Sequence, residues 1–248
     1  MTPSGNTILM TGGTSGIGLA LARAFLAQGN EVIIASRRQS AVDQAVAENP
    51  GLKGYVLDVA EPASFPAFVA KVMAAHPKLN VLFNNAGIMQ AEKLLDADPA
   101  IAEATIAINL LGPIRLTAAF LPHLLAQPKS TIVNTTSGLA FVPLALTPTY
   151  SATKAALHSY TQSLRYQLRD TPVEVLELAP PEVGTELMPG QSKSPTALPL
   201  EDYISETMSI FAQQPTPAEV LVQRVNFLRR AEAEGRFDET FAVINSRH

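Results

Sequence analysis

Thr7-Ile-Leu-Met-Thr-Gly-Gly-Thr-Ser-Gly-Ile-Gly18 is the stretch that decides the fold. Its apolar first half reads as a short strand with both faces covered, and it runs straight into a cluster of glycines. From Ile17 onward, Leu21 and Phe25 fall at helical spacing until Gly29-Asn30 supplies a stop signal, so a helix is expected over 17–28. A strand that feeds a helix through a glycine turn builds an anion site, because the first N–H groups of the helix have no partners within it. Gly12 permits the tight turn, Gly16 lets a pyrophosphate approach the backbone, and Gly18 allows close packing of helix on strand. Gly12, Thr14, Ser15, Gly16, Ile17 and Gly18 are therefore candidate cofactor contacts. The alternative reading is a glycine-rich turn needed only for folding.

Outward from this unit the same alternation repeats. Strand-like runs occur at Val32-Ile-Ile-Ala35, Tyr55-Val-Leu57, Val81-Leu-Phe83, Thr131-Ile-Val133 and Val173-Glu-Val-Leu-Glu-Leu178. Helical patterns fall between them, over 41–48, after Glu61-Pro62, over 100–111 and 113–126, and over 149–169. Short strands without polar alternation, separated by helices, predict a parallel sheet covered on both sides: an α/β, Rossmann-type doubly wound fold. No internal repeat and no Pro/Gly/Ser linker divides the chain, so residues 1–248 are expected to form a single domain. Pro189, Gly190, Pro195 and Pro199 precede an amphipathic stretch from Asp202, and residues 186–214 read as a substrate loop and small lid within that domain.

Composition narrows the function. With 47% hydrophobic and 16% charged residues, a disordered chain is excluded, and the apolar excess suits self-association. Lys+Arg 18 against Asp+Glu 22 gives a net charge of −4, which offers no basic footprint for nucleic acid or an anionic membrane. Zero cysteines exclude disulfides, thiolate metal sites and a thiol nucleophile. The amino terminus lacks the basic-then-apolar layout of a signal peptide, and no apolar run approaches the roughly 18 residues of a membrane span, so a cytoplasmic protein is expected. The four histidines, His76, His123, His158 and His248, show no paired ligand spacing and read as surface or structural residues, with no metal site.

Tyr150-Ser-Ala-Thr-Lys154 places a phenol and an ammonium at i and i+4, on one face of the predicted helix. Tyrosine titrates near about pH 10 and is a poor acid or base at neutral pH. A lysine beside it stabilises the phenolate and is expected to lower that pKa toward the working range.

Taken together, the G-x-x-x-G-x-G turn, Asn84-Asn-Ala-Gly87, Asn109, Ser137 and Tyr150-x-x-x-Lys154 resemble the short-chain dehydrogenase/reductase family, in order and over almost the whole chain. Within it, the glycine stretch, Leu57-Asp-Val59 and Glu177-Leu-Ala-Pro-Pro181 are most similar to the bacterial DltE-type oxidoreductases. The resemblance implies a catalytic set of Asn109, Ser137, Tyr150 and Lys154. Ser137 would hydrogen-bond the substrate carbonyl, with Ser130, Thr135 and Thr136 as nearby alternatives. Tyr150 would exchange the proton, and Lys154 would assist it and hold the nicotinamide ribose. Asn109 would hold a water that links Lys154 to solvent. Asp58 and Val59 resemble the adenine-binding pair, Asn85, Ala86 and Gly87 would line the cofactor, and Asn84 would brace the sheet. Pro180, Val183 and Thr185 match the segment that contacts the nicotinamide. Pro181, however, stands where the family has glycine, and a fixed φ there would stiffen the hinge of the lid.

Cofactor choice follows from charge. The fold's usual acidic residue, which accepts from the adenosine ribose, lies about 20 residues past the glycines. Here that position is Ser36, followed by Arg37 and Arg38. A carboxylate would repel a 2′-phosphate, whereas guanidiniums bind one through charge-assisted bonds. NADP(H) is expected in preference to NAD(H); the alternative is that the arginines are a solvated surface pair.

The substrate pocket is expected to draw on Met89-Gln90, residues 186–211 and the apolar segment Gly138-Leu-Ala-Phe-Val-Pro-Leu-Ala-Leu146, which suits a hydrophobic ketone or secondary alcohol. The same segment could instead pack beneath the lid. Arg and Lys are sparse around this pocket, Lys193 being the main exception, which disfavours a polyanionic substrate. A homodimer or homotetramer is implied by the family, with Leu116, Phe120, Leu124, Leu157, Leu164 and Leu168 at spacing that either an interface or a core would produce. The expected function is an NADP(H)-dependent ketone reductase or alcohol dehydrogenase. A cofactor-sensing regulator without turnover, or an epimerase or dehydratase, are the alternatives.

Overall fold

Strands without polar alternation must be buried on both faces. The computed structural model, which describes residues 1–96 and 98–246, builds them into one parallel sheet. The strands are β1 (Thr7–Thr11), β2 (Glu31–Ser36), β3 (Lys53–Val56), β4 (Val81–Asn84), β5 (Ser130–Thr135), β6 (Val173–Leu178) and β7 (Glu219–Val220). Their order is β3-β2-β1-β4-β5-β6-β7, with every neighbouring pair parallel. From β1 the chain winds outward to β3, then crosses back to continue from β4 on the other side. That switch point opens a crevice at the carboxyl ends of β1 and β4.

Side-chain alternation sorts the core into two layers. Along β1, Ile8 and Met10 enter one cluster and Leu9 the other. The first layer is covered by α1 (Gly16–Ala27) and α2 (Gln39–Glu48), and by α7 (Leu200–Phe211), where Phe25 and Phe211 meet edge to face at 5.4 Å. The second is covered by α3 (Phe65–Ala75), by α5 (Gly112–Leu125), which continues from α4 (Ala100–Ile106), and by α6 (Pro148–Gln167).

Three expectations change here. The helices predicted over 100–111 and 113–126 are one continuous helix, joined by a π turn at Ala107–Leu111. Pro113 has no N–H to return to the preceding turn, and a π register accommodates that loss without ending the helix. As a single element, Ala100–Leu125 is long and apolar enough, at mean hydropathy 1.5, to cross a membrane by length and composition, which corrects the reading from isolated apolar runs. It packs on the sheet through Leu116, Phe120 and Leu124. Those three residues, with Leu157, Leu164 and Leu168, are buried inside the protomer, so their spacing reports the core and lends nothing to a subunit interface. Finally, β7, α8 (Asn226–Arg229) and α9 (Phe237–Asn245) complete the chain beyond the last element that the sequence pattern signalled.

Candidate active site

A cleft of about 1150 Å³ occupies the crevice. At its floor Gly12 has φ of 67°, a left-handed conformation that favours glycine. A methyl group on Gly12 would lie 2.9 Å from the Cα of Ala86, and one on Gly18 only 2.2 Å from the Gly12 carbonyl oxygen. The turn therefore closes on itself and on the end of β4 with no room for side chains. Thr11, which the sequence reading did not single out, fastens this closure: its Oγ1 accepts the N–H groups of Asn85 and Ala86 at 3.1 Å. Asn85 returns the bond through Nδ2 to the Thr11 carbonyl at 3.2 Å. Ser15 makes no side-chain cap, and Gly16, Ile17 and Gly18 line the cleft, so the amino end of α1 is open to an anion.

All the candidate cofactor positions line this one cleft. Thr14 and Ser15 sit in the turn, Ser36, Arg37 and Arg38 follow β2, and Asp58 and Val59 follow β3. Asn85, Ala86 and Gly87 extend β4, and Pro180, Val183 and Thr185 form the facing wall. Arg37 and Arg38 are exposed, and neither forms an ion pair among the described residues. Asn84 points into the sheet and donates to Asn134 Oδ1 at 2.9 Å. A glycine cradle too tight for a Cβ, an uncapped helix amino terminus and two unpaired guanidiniums fit a phosphorylated dinucleotide.

Ser137, Tyr150 and Lys154 meet at the other end of the cleft. Tyr150 and Lys154 are only 6% and 4% exposed, and Lys154 Nζ lies 5.5 Å from the centre of the Tyr150 ring. The ammonium donates to the Thr135 carbonyl at 2.8 Å. Burial pushes the Tyr150 phenol up to about 12, with the Ser137 hydroxyl pulling in the opposite direction. Burial also brings Lys154 down to about 8. A lowered phenol is not the net outcome here, because desolvation of the enclosed ring raises it more than the neighbouring Ser137 hydroxyl lowers it. The serine and threonine alternatives separate cleanly. Ser130 Oγ donates to the Leu124 carbonyl at 2.8 Å, Thr136 Oγ1 donates to Glu177 at 2.7 Å, and Thr135 Oγ1 has no partner among the described residues.

Asn109 stands behind this group, with no surface exposed. Its Oδ1 accepts the Ile88 N–H at 2.9 Å and its Nδ2 donates to the Ile88 carbonyl at 2.8 Å. The side chain thereby fixes a wall of the cleft without lining it. Glu92 does similar work and carried no sequence signal: its carboxylate accepts the Thr149 N–H at 2.9 Å and the Thr149 hydroxyl at 2.7 Å, capping α6 just before Tyr150.

On the substrate side, Met89 and Gln90 line the cleft together with Glu186, Leu187, Met188 and Pro189. Glu186 accepts from the Gly190 N–H and the Ser192 hydroxyl, and these bonds hold its carboxyl below the usual range. The segment 138–146 does not line the cleft as expected. Leu139, Leu144 and Leu146 pack with Met89, Tyr150 and Met188 at its edge. Val142 is fully buried, and Phe141 turns away onto His158 with ring centres 4.9 Å apart. The cause is the C-terminal segment, whose Leu228 and Val225 press against Gly138. Lys193 is not among the lining residues either.

The histidines are tied in rather than loose at the surface. His76 bridges Tyr55 at 3.0 Å and Glu31 at 2.6 Å, and His123 contacts the Leu79 carbonyl at 2.9 Å. His158 meets Glu177 at 2.8 Å, and with Glu219 their ligand atoms lie within 4.8 Å of one another, a grouping that sequence spacing did not reveal. His248 lies outside the described residues.

Comparison with known proteins supplies the context. The pattern of the short chain dehydrogenase family matches residues 6–195. The chain is similar to the uncharacterized oxidoreductase DltE of Bacillus subtilis, with 39% identity over 258 residues covering 99% of each protein. In three dimensions it resembles a short chain dehydrogenase from Burkholderia cenocepacia J2315 in complex with NADP, with a TM-score of 0.83, 24% identity and coverage of 98% and 99% of the two chains. It also resembles the closed form of a serine dehydrogenase complexed with NADP+, with a TM-score of 0.77, 29% identity and coverage of 86% and 90%.

Proposed function

Because the chain belongs to the short-chain dehydrogenase family, we propose that it is an NADP(H)-dependent oxidoreductase that interconverts an apolar ketone and the corresponding secondary alcohol. The observation that carries this reading is the meeting of Ser137, Tyr150 and Lys154 at one end of a cleft whose other end is the glycine turn and the Arg37–Arg38 pair. When bound, the nicotinamide supplies or accepts the hydride. Ser137 and Tyr150 hold the substrate oxygen between their hydroxyls; Tyr150 gives its proton in reduction and takes one in oxidation. Lys154, aimed by the Thr135 carbonyl, holds the ribose hydroxyls and stabilises the phenolate. Asn109 keeps Ile88 in place and belongs to the water route from Lys154 to solvent.

Arg37 and Arg38 favour a 2′-phosphate, in line with the NADP and NADP+ bound in the two similar structures. Met89, Leu187, Met188 and Pro189, which line the cleft on this side, favour an apolar substrate, and residues 186–214 act as the loop that closes over it. The assembly we propose is a homodimer or homotetramer, and a sedimentation mass equal to that of the monomer would remove it. The enzymatic reading is tested by following NADPH and NADH oxidation with a panel of apolar ketones, for the wild type and Tyr150→Phe. Full activity in the variant, or no turnover with any ketone and either cofactor, would sink it.

A further inference from the structure

We infer that Glu177, with Thr136 and His158 bonded to its carboxylate, is a positioning residue for Ser137 and sets the spacing between the serine and tyrosine hydroxyls; the inference rests on the role proposed for Ser137. Glu177 lies on β6 with no surface exposed. A carboxylate in such a place must be matched by donors. Two side chains do so. Thr136 Oγ1 donates to Oε1 at 2.7 Å, and His158 Nδ1 lies 2.9 and 2.8 Å from the two oxygens. Buried ionic groups add little net stability, and their best-attested use is to specify one arrangement over its alternatives. What these contacts specify is visible in the two chains they join.

Thr136 immediately precedes Ser137. Its N–H donates to the Leu178 carbonyl and the Gly138 N–H donates to the Pro180 carbonyl, both at 2.8 Å. The backbone on either side of Ser137 is thus tied along the extension of β6, and the Thr136 side chain is tied to the same strand through Glu177. His158 lies one turn beyond Lys154 on α6, so Tyr150, Lys154 and His158 share a face of that helix. Glu177 touches both the Ser137 segment, through Thr136, and the helix bearing Tyr150, through His158.

The surroundings make this a fixed charge network rather than a cation site. Glu219, the third member of the group, is already met by Arg229 in a two-pronged contact at 2.9 and 3.0 Å. That guanidinium lies 4.6 Å from the Phe141 ring, which stands edge-on to His158. Gln162 Nε2 is 3.0 Å from His158 Nε2, and Arg165 bonds the Val175 and Ala218 carbonyls nearby. Arg229 on α8 and Glu219 on β7 are thus already paired with each other, and they clamp the assembly from outside.

The test uses Thr136→Val, which keeps the shape and removes the donor, Thr136→Ser, which keeps the hydroxyl, and Glu177→Gln. Misplacement of a reacting group by about 1 Å lowers rates about a hundredfold. Thr136→Val and Glu177→Gln should lower kcat by roughly tenfold to a hundredfold, with KM for NADPH little changed and both variants still folded at the assay temperature, and Thr136→Ser should restore it. Introduced into Ser137→Ala, Thr136→Val should cost nothing further. An equal loss in both backgrounds, or wild-type kcat in Thr136→Val, would overturn the inference. A readout without turnover is the ring carbon resonance of 13C-labelled Tyr150, identified by its disappearance in Tyr150→Phe. Thr136→Val should move it in the same direction as Ser137→Ala, and an unmoved resonance also counts against the inference. Should the wild type turn over no ketone, the proposed activity fails, and this resonance alone decides whether Glu177 and Thr136 position Ser137.

Discussion

Lys154 holds its ammonium 5.5 Å from the centre of the Tyr150 ring, inside a site where both side chains are almost fully enclosed. Enclosure acts on the two groups in opposite directions, raising the phenol to about 12 and lowering the amine to about 8. The lysine shift has a stability consequence. Below pH 8 both folded and unfolded chains carry the proton, and the folded state bears the full burial penalty, on the order of 3 kcal/mol. Between about 8 and 10.5 only the unfolded chain keeps the proton, so folding becomes more favourable as pH rises; above 10.5 the penalty is gone. Replacement by Met removes the charge at every pH. Whatever constant effect follows from losing the Thr135 hydrogen bond, the stability of Lys154→Met relative to wild type should be greater at pH 7 than at pH 10 by about 2–3 kcal/mol. Urea midpoints at the two pH values measure it, and a pH-independent difference would refute it.

Tyr150→Phe should leave the fold and the cofactor site intact while removing the proton donor. Positioned acid–base groups contribute about 10²–10⁴-fold to rate. Reduction of an active ketone should therefore fall by about a hundredfold or more, with NADPH affinity within roughly twofold of wild type by fluorescence titration. Loss of affinity in proportion to rate would mean that the phenol binds rather than catalyses.

Much of this site is legible in the chain because its constraints are local. A glycine turn between strand and helix must close in one way, and the tight Gly12–Gly18 approach is what that pattern encodes. Strand runs such as Ile8 to Met10 declare themselves by being apolar on both faces. What escapes the sequence depends on partners far along the chain. Thr11 matters through Asn85 and Ala86, and Glu92 through Thr149. The two-residue strand β7 exists only through its pairing with Glu177 and Leu178. Residues 138–146 look like a pocket wall until Leu228 and Val225 are seen against Gly138. The direction of the Tyr150 shift likewise depends on how completely the fold encloses it, which the i, i+4 spacing alone does not state.

Arg37 and Arg38 are exposed at the mouth of the cleft beside Ser36. A hydrogen bond to a charged group is worth about 1.5–3 kcal/mol, or roughly tenfold to a hundredfold in binding. Alanine at both arginines should raise KM for NADPH by that factor and leave KM for NADH nearly unchanged. Adding Ser36→Asp should then favour NADH, since the new carboxylate accepts from a ribose 2′-hydroxyl and repels a 2′-phosphate. Parallel initial-rate measurements with both cofactors decide the matter. If NADPH and NADH respond equally, the arginines are a solvated pair.

Gly18 supports a sharper structural prediction. Its hypothetical Cβ meets the Gly12 carbonyl oxygen at 2.2 Å and the Asn85 amide nitrogen at 2.5 Å, so Gly18→Ala cannot be absorbed by a rotamer change. Either the turn opens or α1 lifts from the sheet, and overpacking of this kind costs about 1–3 kcal/mol. For a chain of this size that corresponds to a fall in melting temperature of roughly 2–12 °C. The cofactor effect should be larger than the stability effect suggests, because the displaced atoms are the cradle itself. NADPH affinity should drop by about tenfold or more even at temperatures where the variant is fully folded. Calorimetry and cofactor titration on the same sample separate the two contributions. A stable variant with wild-type affinity would show that the glycine serves neither close packing nor phosphate approach.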